Sequence, residues 1–332
     1  MNSTRKEEDD LEAWSHFLVK AFEEKSQWID VCCVVIMVII FFVSIIGNVL
    51  TCYVIYSVKS MHTATNFYLF DLAVSDLIVT FFIIFDIYDY LTDFSNFGEN
   101  MCKLKFFFAV ILWNNGILVM TILAIERYIV IWYPMLLSSS PVWKRVTKVI
   151  TIIWIVAIME SLPELWTVGF IKTKKVSICF TVPTEIARKI SGVLALVTFV
   201  FPLMIMIFVY AMIAFKVNDN EKSNSSGKIF NHRDNRRKVN KIIISVALTA
   251  SFLVCWFPFF VYRIIIFAYD ISQLMEFEWW WSTGFRVLLI NTWLSVVLNP
   301  ILFSLMSTKF RKALKMLWTR KMRKQKTSII RL

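Results

Sequence analysis

The stretch Val31–Ser57, VCCVVIMVIIFFVSIIGNVLTCYVIYS, contains no Asp, Glu, Lys or Arg. A helix rises about 1.5 Å per residue, so about 20 apolar residues cross a hydrocarbon core about 30 Å thick, and this run is long enough. Six further segments qualify: 66–91, 103–131, 147–170, 190–215, 241–268 and 284–306. Composition agrees. The 332 residues are 58% hydrophobic and 18% charged, with mean hydropathy +0.64, whereas a soluble domain carries about 25% charged residues. Only 7 Gly and 7 Pro punctuate the chain, which favours long helices over short strands and disfavours a β-barrel. The expected fold is all-α: a seven-transmembrane helix bundle over residues 31–307, with an arm at 1–30 and, at 308–332, a short amphipathic helix and basic tail.

Charge sets the topology. Lys59, Lys144, Arg145, Lys216, Lys222, Lys228, Arg233, Arg236, Arg237 and Lys238 lie in the first, third and fifth connections, and the tail from Thr308 is rich in Lys and Arg without any acid. The positive-inside bias makes these regions cytoplasmic and the N-terminus extracellular. The net charge of +12 is therefore largely a topology signal, and a nucleic-acid partner is not expected, because that needs a basic face on a soluble fold. Residues 1–20 lack a basic region followed by an apolar stretch, so helix one is expected to act as an uncleaved insertion signal.

The acidic arm carries Glu7, Glu8, Asp9, Asp10 and Glu12 and reads mostly as a solvated, disordered tail; an acidic rim attracting a basic ligand is the sharper alternative. Asn2-Ser3-Thr4 is a glycosylation acceptor. After helix seven, Phe310, Ala313, Leu314, Leu317 and Trp318 share one face of a basic segment, as expected of a helix lying on anionic lipid. Cys102 and Cys179 map to the same oxidising side, so a disulfide joins them most economically. The other cysteines sit in apolar segments, and no metal-ligand spacing is present.

Polar groups inside membrane helices usually face the bundle interior. Those singled out are Asn48, Asp76, Asn114, Asn115, Glu126, Arg127, Trp256, Asn291, Asn299 and Pro300. Interhelical hydrogen bonding alone would explain the asparagines. Their order says more. Gly47-Asn48-Val49, Leu72-Ala73-Val74-Ser75-Asp76-Leu77, Glu126-Arg127-Tyr128, Trp154, Pro202 with Tyr210, Phe252 with Cys255-Trp256-Phe257-Pro258, and Asn299-Pro300 fall on successive segments. In that order they resemble the rhodopsin-like, class A G-protein-coupled receptors along nearly the whole chain.

The resemblance implies a plasma-membrane receptor that activates a heterotrimeric G protein by outward movement of helix six, with arrestin and membrane lipids as further partners. It gives Arg127 the contact with the docking G-protein helix, Glu126 the task of neutralising Arg127 at rest, and Tyr128 and Tyr210 places beside it. Trp256, Phe252 and Pro258 would form the bend of helix six, and Asn299-Pro300 a weak point in helix seven. Asp76, facing Asn48 and Asn299, is similar to the family's sodium-linked aspartate; no other cofactor is implied. Departures are Gly116 and Val296 where hydroxyls are common, Phe303 in place of tyrosine, and Lys238 where some members carry an acid.

The outer half supplies a candidate ligand pocket: Asp86 and Asp89 on helix two, Trp113 on helix three, Glu160 and Glu164 on helix four, Arg263 on helix six and Arg286 on helix seven. Charges of both signs suit a peptide or zwitterion better than a lipid, unless they pair only to hold the bundle. Helix three offers no amine-gripping aspartate near Ala109, and Trp293 stands where opsins place their retinal lysine. Thr65–Phe70, Phe97-Gly98 and Ser304–Arg311 are similar to the neuromedin U, pyrokinin and related neuropeptide receptors, with Ser95 departing from that group's tryptophan. The segment 172–185, tied through Cys179, is expected to cover the pocket as a hairpin. The alternatives are a non-peptide ligand in the same fold and, less favoured, a transporter, although no internal repeat is found. An enzyme is disfavoured: His16, His62 and His232 all lie outside the apolar segments.

Overall fold

The computed structural model describes residues 12–20, 27–92, 98–133, 141–172, 177–181, 184–224, 232–276 and 283–329. Seven helices are long and apolar enough to cross a membrane. They are helix one (Trp28–Ser57), two (Ala64–Thr92), three (Gly98–Trp132), four (Val142–Thr167), five (Glu185–Lys216), six (Ile242–Ala268) and seven (Phe285–Met306). Large apolar side chains such as Phe42, Phe208 and Val254 are uncovered by protein, as on helices whose outer faces meet lipid. This is a multi-pass membrane protein.

Local chemistry sets the helix boundaries. Helix three begins at Gly98, whose φ of 72° suits glycine. Thr184 caps helix five by accepting from the backbone N–H of Ala187 at 3.3 Å. Helices five and six run on as Phe201–Asn224 and His232–Ala268, beyond the apolar segments, because polar residues continue a helix once it is nucleated. Gly47 lets helices one and seven touch: a Cβ there would lie 2.9 Å from Cγ of Pro300.

Between helices four and five, β1 (Val168–Lys172) pairs antiparallel with β2 (Ser177–Thr181), aligning Phe170 with Cys179. This expected hairpin marks one end of the bundle; Arg127 marks the other. The tail helix, Thr308–Ile329, is longer than the short element expected. Phe310 and Ala313 are buried while Trp318 is exposed.

One part of the arm departs from the expected disordered tail. Residues 12–20 form a helix, and Trp14 and Leu18 are buried in a cluster with Tyr262, Ile266, Leu274 and Leu288 at the hairpin end. Their spacing of four residues puts both on one helical face, which offers enough apolar surface to hold the segment against helices six and seven. Asn2, Ser95 and Phe97 lie outside the described residues.

Candidate functional site

At the Arg127 end, helix three presents Glu126, Arg127 and Tyr128. Sequence neighbours on a helix point in different directions, and here the two charges part. Glu126 Oε1 accepts from Arg145 Nη2 of helix four at 3.1 Å, so the carboxylate that faces Arg127 electrostatically gives its hydrogen bond to a second cation. Arg127 is buried and, among the described residues, makes no hydrogen bond or ion pair. Tyr128 packs on Trp132, over which the Lys216 ammonium sits 5.0 Å from the ring centre. Tyr210 and Thr249 share a hydroxyl hydrogen bond of 2.9 Å between helices five and six. Phe303, lacking a hydroxyl, stacks edge-on against Phe310 of the tail helix with ring centres 4.9 Å apart. Lys238 lies on the N-terminal extension of helix six, outside the described side chains.

Two prolines lie inside helices in the middle of the bundle, and for each an asparagine supplies the missing donor. Pro258 has no N–H to give to the carbonyl of Val254; Asn291 of helix seven donates to that oxygen at 3.2 Å and to Cys255 O at 2.8 Å. Pro300 likewise leaves Val296 O without a helical donor, and Asn48 of helix one supplies one at 2.9 Å. Beside the first bend, Trp256 contacts Trp113 (ring centres 4.8 Å apart), Phe252 (5.8 Å) and Phe259 (5.9 Å).

Asp76 is buried and accepts from Asn299 Nδ2 at 3.0 Å. Asn48 turns instead to Val296 O and Ser44, which corrects its expected place facing Asp76. Around Asp76 the side-chain oxygens that a sodium ion would need are few. Gly116 and Val296 bring no side-chain oxygen, and the Ser75 hydroxyl is turned to the carbonyls of Asp71 and Leu72. The Phe252 ring fills the adjoining space, standing 3.1 Å from where a Cβ on Gly116 would be.

At the hairpin end Cys102 and Cys179 are disulfide-bonded with their Cα atoms 5.9 Å apart, so β2 is fixed to the start of helix three. The expected pocket charges come together here as ion pairs. Lys105 Nζ lies 2.5 Å from Asp86 and 3.3 Å from Asp89, and Trp293 Nε1 donates to the other Asp86 oxygen at 2.9 Å. Arg263 meets Glu164 at 2.5 Å and Ser191 at 3.1 Å, while Thr167 donates to the second Glu164 oxygen at 2.8 Å. Arg286 pairs with Asp30 at 3.2 Å. Only Glu160 stands apart, with no hydrogen-bond partner for its buried Oε2 among the described residues.

An interior so arranged joins a charged mouth, an aromatic column at a proline bend and a buried arginine at the far end. The sequence profile of the 7 transmembrane receptor (rhodopsin family) matches residues 47–303, a span that takes in all three. The chain belongs to the rhodopsin family of seven-transmembrane receptors. This rhodopsin-family receptor is similar to mouse neuromedin-U receptor 2, with 28% identity over 298 residues, 84% of this chain and 73% of the relative. It is similar to a Caenorhabditis elegans neuromedin U receptor homologue, at 28% over 319 residues (84% and 77%). The Drosophila melanogaster pyrokinin-1 receptor matches at 26% over 347 residues (85% and 78%).

Four residues of this rhodopsin-family receptor's interior escaped sequence reasoning. Arg145 read as flanking charge, Asp30 as part of the arm, and Lys105 was not singled out. Asp71 accepts from Trp154 Nε1 at 3.0 Å and Asn115 Nδ2 at 3.4 Å, tying helices two, three and four. A signal for it existed, since an acid inside an apolar helix needs partners, but it stood one turn from the more familiar Asp76.

Proposed function

We propose that this receptor sits in the plasma membrane with its N-terminus and hairpin end outside, binds an extracellular neuropeptide there, and activates a heterotrimeric G protein at the Arg127 end. The observation that carries the reading is the set of ion pairs at the hairpin end. Asp86, Asp89, Glu164, Arg263 and Arg286 all have partners of opposite charge, and a peptide carries both the cations and the carbonyl or carboxylate acceptors that can exchange with such pairs. The relatives' names, neuromedin U and pyrokinin receptors, support the same ligand class.

In this reading the peptide seats between the hairpin and the Trp113–Trp256 contact, pressing on the bend at Pro258. Helix six then swings outward at its inner end, and the opened cavity lets Arg127 donate to carbonyls of the docking G-protein helix. Tyr128 and Tyr210 flank that cavity, and the Phe303–Phe310 contact carries motion of helix seven to the tail helix. The basic tail helix rests on anionic lipid, and arrestin competes for the same inner cavity. Asp76 and Asn299 act as a tie between helices two and seven and not as a sodium site.

The test is a calcium and cyclic AMP screen of cells expressing the full chain against amidated neuropeptides. A saturable, concentration-dependent response, absent from untransfected cells, is expected. Silence to every peptide in both assays, with the receptor at the cell surface, overturns the proposal.

A further inference from the structure

Glu126 and Arg127 are adjacent, yet the carboxylate is drawn toward helix four. Arg145 Nη2 holds Glu126 Oε1 at 3.1 Å, with the two side chains only 23% and 10% exposed. Arg127, whose side chain lies against the interior, is left with no hydrogen bond or ion pair among the described residues, its Nε included. A buried guanidinium without an acceptor is costly, so Arg127 has every reason to reach for the adjacent acid. It feels the Glu126 charge but makes no hydrogen bond to it, while Arg145 does. Two cations compete for one carboxylate, and Arg145 prevails.

We infer that Arg145 is a positioning residue for signalling: by holding Glu126 from helix four it withdraws the resting partner of Arg127 and keeps that guanidinium available to a G protein before any ligand binds. The inference rests on the G-protein reading above and goes beyond it by assigning the receptor an agonist-independent output and naming the residue that sets it. Removing the Arg145 charge returns Glu126 to Arg127, its other cationic neighbour among the described residues. The inner end of helix three is then neutralised, and the state that engages G protein becomes harder to reach. This is opposite to the usual effect of deleting an interhelical ion pair, which loosens a resting state.

The experiment measures basal G-protein activation per receptor at the cell surface, with no peptide, in wild type, Arg145→Gln, Arg145→Lys, Glu126→Gln and the Glu126→Gln/Arg145→Gln double variant. Wild type should signal above untransfected cells, and Arg145→Gln should reduce this by about threefold, the scale of a partly exposed ion pair. Arg145→Lys, which keeps the charge, should restore most of it. In the Glu126→Gln background, where no carboxylate remains to be returned, Arg145→Gln should change nothing. A merely structural role for Arg145 would lower the signal by the same factor in both backgrounds, and that result overturns the inference, as does unchanged or higher basal activity in Arg145→Gln. A wild-type receptor silent without peptide but responsive to it overturns this inference and leaves the proposed function standing; silence in both faults the function itself.

Discussion

Asn291 of helix seven donates its side-chain amide to the carbonyl of Val254 in helix six, at 3.2 Å, and this is the acceptor that Pro258 leaves without a helical N–H. The bend of helix six is therefore held from outside itself. Replacing Asn291 by leucine, similar in size, removes the donor and leaves a carbonyl within the membrane-spanning segment unsatisfied, at a cost of about 1–3 kcal/mol. The detergent-solubilised Asn291→Leu receptor is expected to melt several degrees below wild type in a thermal-shift assay; an unchanged Tm would show that the bend does not need this bond.

The hairpin is fixed by one covalent bond and one short ladder. Cys179→Ala frees β2 from helix three, so the mouth loses its shape. Surface expression or peptide binding should be abolished, measured by antibody staining and saturation binding. Wild-type binding would contradict the role given to the disulfide.

Glu164 and Arg263 are almost fully enclosed, with side chains 7% and 8% exposed. Losing one partner strands a buried charge, which costs about 3–5 kcal/mol. Glu164→Gln and Arg263→Gln should each lower receptor stability or peptide affinity by at least tenfold, and the charge-swapped Glu164→Arg/Arg263→Glu double variant should recover part of the loss. Additive losses in the double variant, read by radioligand binding and surface expression, would mean the two do not act as a pair.

Phe303 carries no hydroxyl toward Tyr210, whose own hydroxyl is bound to Thr249. Phe303→Tyr offers Tyr210 a new polar partner across helices five and seven, and basal or maximal signalling should rise. Equal concentration-response curves at matched surface expression would refute this.

The poor donor set around Asp76 implies insensitivity to sodium. Peptide affinity should be the same when sodium chloride is replaced by choline chloride at equal ionic strength. A severalfold change specific to sodium would restore the ion to this site.

The seven helices were legible because lipid demands apolar runs of a fixed minimum length, and Val31–Ser57 meets that demand without ambiguity. The proline bends were legible too, since proline always removes a donor. Who supplies the missing donor was not: Asn48 serves Val296 and Asn291 serves Val254 across helix–helix contacts that no local spacing encodes. Glu126 shows the same limit. Adjacency in sequence suggested Arg127 as its partner, but neighbouring side chains diverge on a helix, and Arg145 reached it from helix four. The arm helix was missed because acidic composition masked the apolar face formed by Trp14 and Leu18. The sequence named the pocket acids and arginines; it did not show that Lys105 and Asp30 neutralise them.

In the proposed function the ion-paired mouth and the Arg127 end are two sites of one equilibrium. Coupling of that kind is reciprocal, so competition binding of an activating peptide to cell membranes, with and without a non-hydrolysable GTP analogue, tests it most directly. Uncoupling the G protein should weaken peptide affinity by roughly tenfold, and Arg127→Ala should give the weak affinity in both conditions. Identical high affinity with and without the nucleotide in the wild-type receptor would contradict it.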